Sequence, residues 1–177
     1  MKLMKRLLPL LLVLALSLTA CAKKQGGKPD AAKTPEEYAA AYSDAIQAAR
    51  DSEMNEYFPV ITNANGFTDE MEEEMTFTVL GFAEEDVDAY GVSLSLMNVN
   101  AYAIVAAKPA EGKEETVKTG LENYIKSQKA AFENYLEDQH EIAASAKLET
   151  LDDGTLLLVM AEGQDTLFDA IKDALSE

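Results

Sequence analysis

The chain carries one cysteine, Cys21, and it closes the tetrapeptide Leu18-Thr19-Ala20-Cys21. A branched apolar residue, two small residues and a cysteine make a lipobox. Small side chains let a peptidase close on the backbone ahead of the cysteine, and the thiol is the nucleophile that accepts a diacylglyceryl group as a thioether. Cleavage between Ala20 and Cys21 and lipid attachment at Cys21 are therefore expected.

Upstream, Lys2, Lys5 and Arg6 precede an uncharged run from Leu7 to Ala20, with Pro9 near its start. These are the n-region and h-region of a leader, shorter than the roughly 20 residues a membrane-spanning helix needs. The alternative is an ordinary secretory leader that leaves Cys21 a free thiol. The coincidence of leader, lipobox and sole cysteine favours the lipoprotein. Two acyl chains anchor stably, because each buried methylene contributes about 0.8 kcal/mol. The expected partner through this lipid is the cell membrane, with the protein on its extracellular side.

Little else offers a catalytic kit. His140 is the only histidine, so any Ser-His-Asp arrangement would rest on it, and no Gly-x-Ser-x-Gly elbow accompanies it. A solvated histidine near a helix C-terminus is the plainer reading. Zinc needs several His or Cys ligands. Calcium loops fail at their ligand positions: with Gly66 as sixth residue of an EF-hand, Ile61 stands first, and with Gly154 as sixth, Leu151 stands third and Met160 last. The run Asp69-Glu70-Met71-Glu72-Glu73-Glu74 could collect divalent ions weakly, but acids in a first helical turn complement its dipole, and the same holds for Glu84-Glu85-Asp86. Abundant carboxylates alone do not make the placed pair of a glycosidase. Tyrosines 38, 42, 102, 124 and 135 could line a ligand groove, although their helical or strand spacing favours the core. No catalytic, cofactor-binding or metal-ligating residue is assigned, and no cofactor is implied.

Charge narrows the partners. The chain is at −17; without Lys2, Lys5 and Arg6 it keeps 12 basic against 32 acidic residues, which is −20. Nucleic acid is a poor partner for such a surface. Lys23, Lys24, Lys28 and Lys33 lie near the anchor, where cations are drawn to lipid phosphates. With Cys21 consumed by lipid no disulfide is available, so the domain depends on its core. At 47% apolar residues, and with a domain of about 150 residues burying near 70% of its unfolded surface, the core is sufficient.

The elements follow from caps and periodicity. Residues 1–20 form the leader, 21–33 the lipidated N-terminus and a flexible tether containing Gly26-Gly27 and Pro29, and 34–177 one domain. Thr34-Pro35-Glu36-Glu37 is a capping box, and Tyr38, Tyr42, Ile46 and Ala49 recur at helical spacing, predicting a helix from Pro35 to Arg50. Tyr57 to Ile61, broken by Pro59, is an edge strand or an extended loop. Residues 68–80 are ambiguous: Met71, Met75 and Val79 repeat every four residues while Thr76 to Val79 favours a strand, and a helix capped at Thr68 and stopped at Gly81 is preferred. Ala83 to Val87 adds a helical turn. Val92 to Leu96 alternates strictly, Asn98 to Asn100 can turn, and Tyr102 to Ala106 is a second strand. A long helix from Lys113 to Tyr135 or beyond presents Val117, Leu121, Tyr124, Ile125, Phe132, Tyr135 and Leu136 on one face. Strands Lys147 to Leu151 and Thr155 to Met160 flank an Asp152-Asp153-Gly154 turn, and a helix from Thr166 to Leu175 closes the chain. The expected fold is α+β: a four-stranded antiparallel sheet in the order strand, strand, helix, strand, strand, helix, with an N-terminal helical segment and helices on one face.

The strand Tyr102 to Lys108, then Val117 and Leu121, the patch Phe132-Glu133-Asn134-Tyr135 with Gln139 after it, and the strand Gly154 to Val159 carry a resemblance over about residues 67–175. The chain resembles an uncharacterised lipoprotein family of low-GC Gram-positive bacteria, domain of unknown function 4358. The family's pattern has an acidic residue ahead of the isoleucine in the first of these strands, where this chain has Ala103. The resemblance implies a Gram-positive setting and no particular activity or site.

Three functions are consistent with these observations. The first is a non-enzymatic binding or adaptor module at the outer face of the cytoplasmic membrane, taking an envelope protein partner or a small ligand. The second is an envelope-acting hydrolase using Asp and Glu carboxylates, which requires a cleft with two close carboxyl groups. The third is a structural subunit of an envelope complex, which requires a contiguous exposed apolar patch.

Overall fold

The computed structural model describes residues 33–97 and 99–176. The leader, Leu18, Thr19, Ala20 and Cys21 of the lipobox, and the tether up to residue 32 lie outside the described residues, as does Asn98 of the expected turn.

The first three helices begin where a side chain accepts from their unpaired amides. In α1, Pro35–Ala49, the Thr34 hydroxyl accepts from the Glu37 amide at 3.3 Å and the Glu37 carboxylate from the Thr34 amide at 2.7 Å. Asp51 caps α2, Ser52–Tyr57, accepting from Met54 N at 2.8 Å. The ambiguous stretch is helical: α3 spans Glu70–Leu80 and ends at Gly81 with φ 80°. Its cap is Asp69 rather than Thr68, because the Asp69 carboxylate reaches both Met71 N and Glu72 N. A single 3₁₀ turn, Glu84–Asp86, leads into the sheet.

The sheet has five strands, not four, in the order β1-β2-β3-β5-β4, every pair antiparallel. They are β1 Ile61–Thr62, β2 Val87–Leu94, β3 Ala103–Pro109, β4 Lys147–Thr150 and β5 Leu156–Met160. The extra strand is the rim of the Tyr57 to Ile61 segment: only two residues pair, Ile61 with Val92 and Thr62 with Gly91. Pro59 lacks a ladder donor, and the Thr62 amide is followed at once by a turn held on Asn65 Oδ1. β2 starts five residues earlier than alternation suggested, since Gly91 falls in mid-strand against α1; a Cβ there would lie 2.7 Å from Tyr42 Cβ.

Helices cover both faces rather than one. Ala103, Val105 and Ala107 of β3 and Leu156, Leu158 and Met160 of β5 join Phe77, Leu80, Val117, Leu121 and Tyr124. Ile104, Ala106, Leu157 and Val159 join Tyr38, Tyr42, Ile46, Phe168 and Ile171 on the other side. β3 and β5 are therefore apolar at successive positions, the pattern of strands buried on two sides. α1 and α6, Gln164–Leu175, form one layer; α3, α4, Glu114–Phe132, and α5, Glu137–Ala144, form the other.

The expected long helix is broken after Phe132. Leu136 takes an extended φ of −135°, and the chain restarts as α5 so that Leu136, Ile142 and Ala143 return to the core. Tyr135, expected on the buried face, is 58% exposed at the break.

Candidate functional site

Arg50 follows the spacing Tyr38, Tyr42, Ile46 onto the buried face of α1, and it is only 8% exposed. Its guanidinium donates to Phe58 O at 3.0 Å, Ser93 Oγ at 2.8 Å, Asn55 Oδ1 at 2.6 Å and the Tyr102 hydroxyl. Ser93 Oγ donates onward to Phe58 O at 2.9 Å. Among the described residues no carboxylate forms an ion pair with Arg50. Its contact with Phe58 O places it at the C-terminus of α2, where the partial negative end of a helix favours a cation.

This network sets the floor of a groove of about 380 Å³ at the end of the sheet where β3 begins and β5 ends. Phe58 and Tyr102 stack there with ring centroids 4.1 Å apart, and Tyr57, 72% exposed, stands edge-on to Phe58 at 5.4 Å. Gln139 closes the α5 side, its Oε1 accepting from Ala101 N at 2.8 Å. Met54 and Ile142 add apolar wall, and the carboxylates of Asp51, Glu53 and Glu162 stand at the rim. Lining carboxylates without a lining cation, beside π faces, give a negative potential suited to a desolvated cation.

A second, wider groove of about 770 Å³ runs between α3 and the 3₁₀ turn, with Phe77 and Phe82 at its base and Glu70, Glu73, Glu74, Glu84 and Glu85 around it. A hydrogen bond with Glu84 raises the Glu73 carboxyl above its ordinary range.

Of the residues singled out in the sequence, Tyr38, Tyr42, Tyr102 and Tyr124 are all core, and Tyr102, 5% exposed, also reaches the wall of the first groove. His140 lies half-buried on α5, and no side-chain hydrogen bond joins it to a serine or carboxylate among the described residues. No cluster of three His, Cys, Asp or Glu among them is arranged to hold a metal ion, and no helix among them is long and apolar enough to cross a membrane. Sequence reasoning missed Arg50, Tyr57 and Phe58. The continued four-residue spacing from Tyr38 to Arg50 was the available signal for the first.

The fold and groove define a single-sheet α+β module with an aromatic, acid-rimmed recess. A family model described as a domain of unknown function, DUF4358, matches residues 65–161, over half of the chain, and the chain belongs to that family. The match includes Tyr102 and Gln139 and ends before α6, short of the Leu175 to which the resemblance reached. No curated protein and no solved structure matches the chain.

Proposed function

We propose that this protein is a lipid-anchored, non-enzymatic binding module on the outer face of the cytoplasmic membrane, and that the groove beside Tyr102 takes an organic ammonium group. The carrying observation is the exposed Tyr57 ring set edge-on to Phe58, which is backed by the Phe58–Tyr102 stack, with Asp51, Glu53 and Glu162 at the rim. An ammonium ion over an aromatic face gains about 0.5–2 kcal/mol, more as water is excluded. The rim carboxylates add long-range attraction that raises the local concentration of cations. Arg50 adds one positive charge behind the rings, but it does not line the groove, and the three rim carboxylates of Asp51, Glu53 and Glu162 outnumber it there.

The anchor rests on the lipobox and its Cys21. Metabolic labelling with palmitate should mark the wild-type chain and not a Cys21→Ser form; label on both removes the anchor from the proposal. For the groove, the purified Cys21→Ser protein is titrated with choline while amide resonances are followed. Shifts confined to residues around Tyr57, Phe58 and Gln139 are expected, and shifts scattered over the acidic surface count against a built site.

A further inference from the structure

The α3 helix is apolar on two opposite faces. Thr76, Phe77 and Leu80 are buried against the sheet, yet Met71, Met75 and Val79, one turn apart, are 69%, 46% and 40% exposed. A helix packed on one side ordinarily turns a polar face to water. The neighbouring α4 does so with Glu115, Lys118, Glu122 and Lys126. The outward ridge of α3 spans about 12 Å, two helical turns. Its two methionines are flexible and polarizable, which suits them to contact another helix.

The charge around the ridge selects the partner. From Asp69 to Asp86 the chain holds eight carboxylates and no lysine or arginine. Glu70 and Glu74 border the ridge on one side and Glu72 on the other, with Glu84 and Glu85 across the adjoining groove. The carboxylates are crowded enough that Glu84 raises the Glu73 carboxyl. A second copy of the chain would bring the same carboxylates against these, and an anionic lipid surface would be repelled likewise. We infer that the outward face of α3 docks a basic amphipathic helix of a partner protein, whose apolar stripe covers Met71, Met75 and Val79 while its lysines or arginines meet the flanking glutamates. This is the helix-in-groove mode of recognition, with the ridge filling between anchors spaced by one turn. It is independent of the Tyr102 groove, which lies at the end of the sheet between α2 and α5.

The test uses the exported chain carrying Cys21→Ser and two labelled synthetic helices, one of leucine and lysine and one of leucine and glutamate, followed by fluorescence anisotropy. The lysine helix should bind and the glutamate helix should not. The triple variant Met71→Ser, Met75→Ser, Val79→Ser should weaken binding by about tenfold or more, with thermal unfolding little changed because these side chains are exposed. Glu72→Lys with Glu74→Lys should weaken it similarly, whereas Glu115→Lys with Glu122→Lys on α4 should not. Equal binding by the triple variant would reduce the effect to net charge and overturn the inference. Sedimentation showing a dimer that the triple variant abolishes would assign the ridge to self-association instead, and would overturn it too.

Discussion

Arg50 and Tyr102, 52 residues apart in the chain, are joined by a hydrogen bond from the guanidinium to the phenol oxygen, within a buried network that also takes in Ser93 and Phe58 O. The end of the first helix thereby fixes one of the rings in the groove wall. Replacing Arg50 by Met leaves Ser93, Asn55 and Phe58 O short of a donor. A loss of about 2–4 kcal/mol is expected from urea unfolding. Lysine at this position cannot fork to four acceptors, so Arg50→Lys should recover less than half of it.

Gly120 of α4 lies against the C-terminus of α3. A Cβ on it would fall 2.7 Å from Gly81 O and 2.8 Å from Leu80 O, both backbone atoms that cannot rotate aside. Gly120→Ala should cost about 2–3 kcal/mol, by overpacking that outweighs the gain in helix propensity. Gly91→Ala, meeting Tyr42 Cβ, should cost about 1–3 kcal/mol. Thermal denaturation of the two variants checks both, and unchanged melting would refute these close approaches.

Asp86 accepts from Lys113 Nζ at 2.7 Å and from Ala83 N at 2.9 Å, and its carboxyl is held below the usual range, first by the Lys113 hydrogen bond and then by the Ala83 amide. A depressed folded value means stability that is present above the ordinary aspartate value of about 3.9 and lost as pH falls through the lower folded value. Asp86→Asn should cost about 1 kcal/mol at neutral pH and make acid unfolding shallower below about pH 4. Glu73 carries the opposite sign: raised by Glu84, it favours the fold as it protonates. Stability contributed by Glu73 should therefore rise as pH falls through its raised value, and Glu73→Gln should remove that rise in a pH series of denaturant midpoints.

Tyr124 is 2% exposed, and its hydroxyl has no hydrogen-bond partner among the described residues. Burial raises its pKa, in keeping with an apolar surround. Tyr124→Phe removes an unpaired polar atom without opening a sizeable cavity, so the variant should be more stable by about 1 kcal/mol. A loss of stability in urea unfolding would mean that the hydroxyl is satisfied in solution.

Much of the fold was legible locally. The Thr34 to Glu37 box, the Asp152-Asp153-Gly154 turn and, apart from the extra helix α5, the order of elements after Val92 follow from residues near one another in the chain. What escaped depends on distance. The continuous apolar runs of β3 and β5 signalled burial on both faces, but which helices cover which face is set by packing. β1 is too short for any periodicity, and the break before Leu136, which returns Leu136, Ile142 and Ala143 to the core, depends on contacts distant in the chain. The repeat of Met71, Met75 and Val79 correctly marked a helix, yet it points to water, because Thr76, Phe77 and Leu80 hold the other face. The groove was invisible for the same reason: Asp51, Tyr102, Gln139 and Glu162 share no spacing, and only β3 and α5 bring them together.

Calorimetric titration of the Cys21→Ser protein with choline, set beside the neutral carbon isostere of choline, tests the ammonium groove most directly. The account predicts binding of choline, at least about tenfold weaker binding of the isostere, and loss of the difference in Tyr57→Ala with Glu53→Gln. Equal affinity for the two compounds, or no heat from choline, would contradict it.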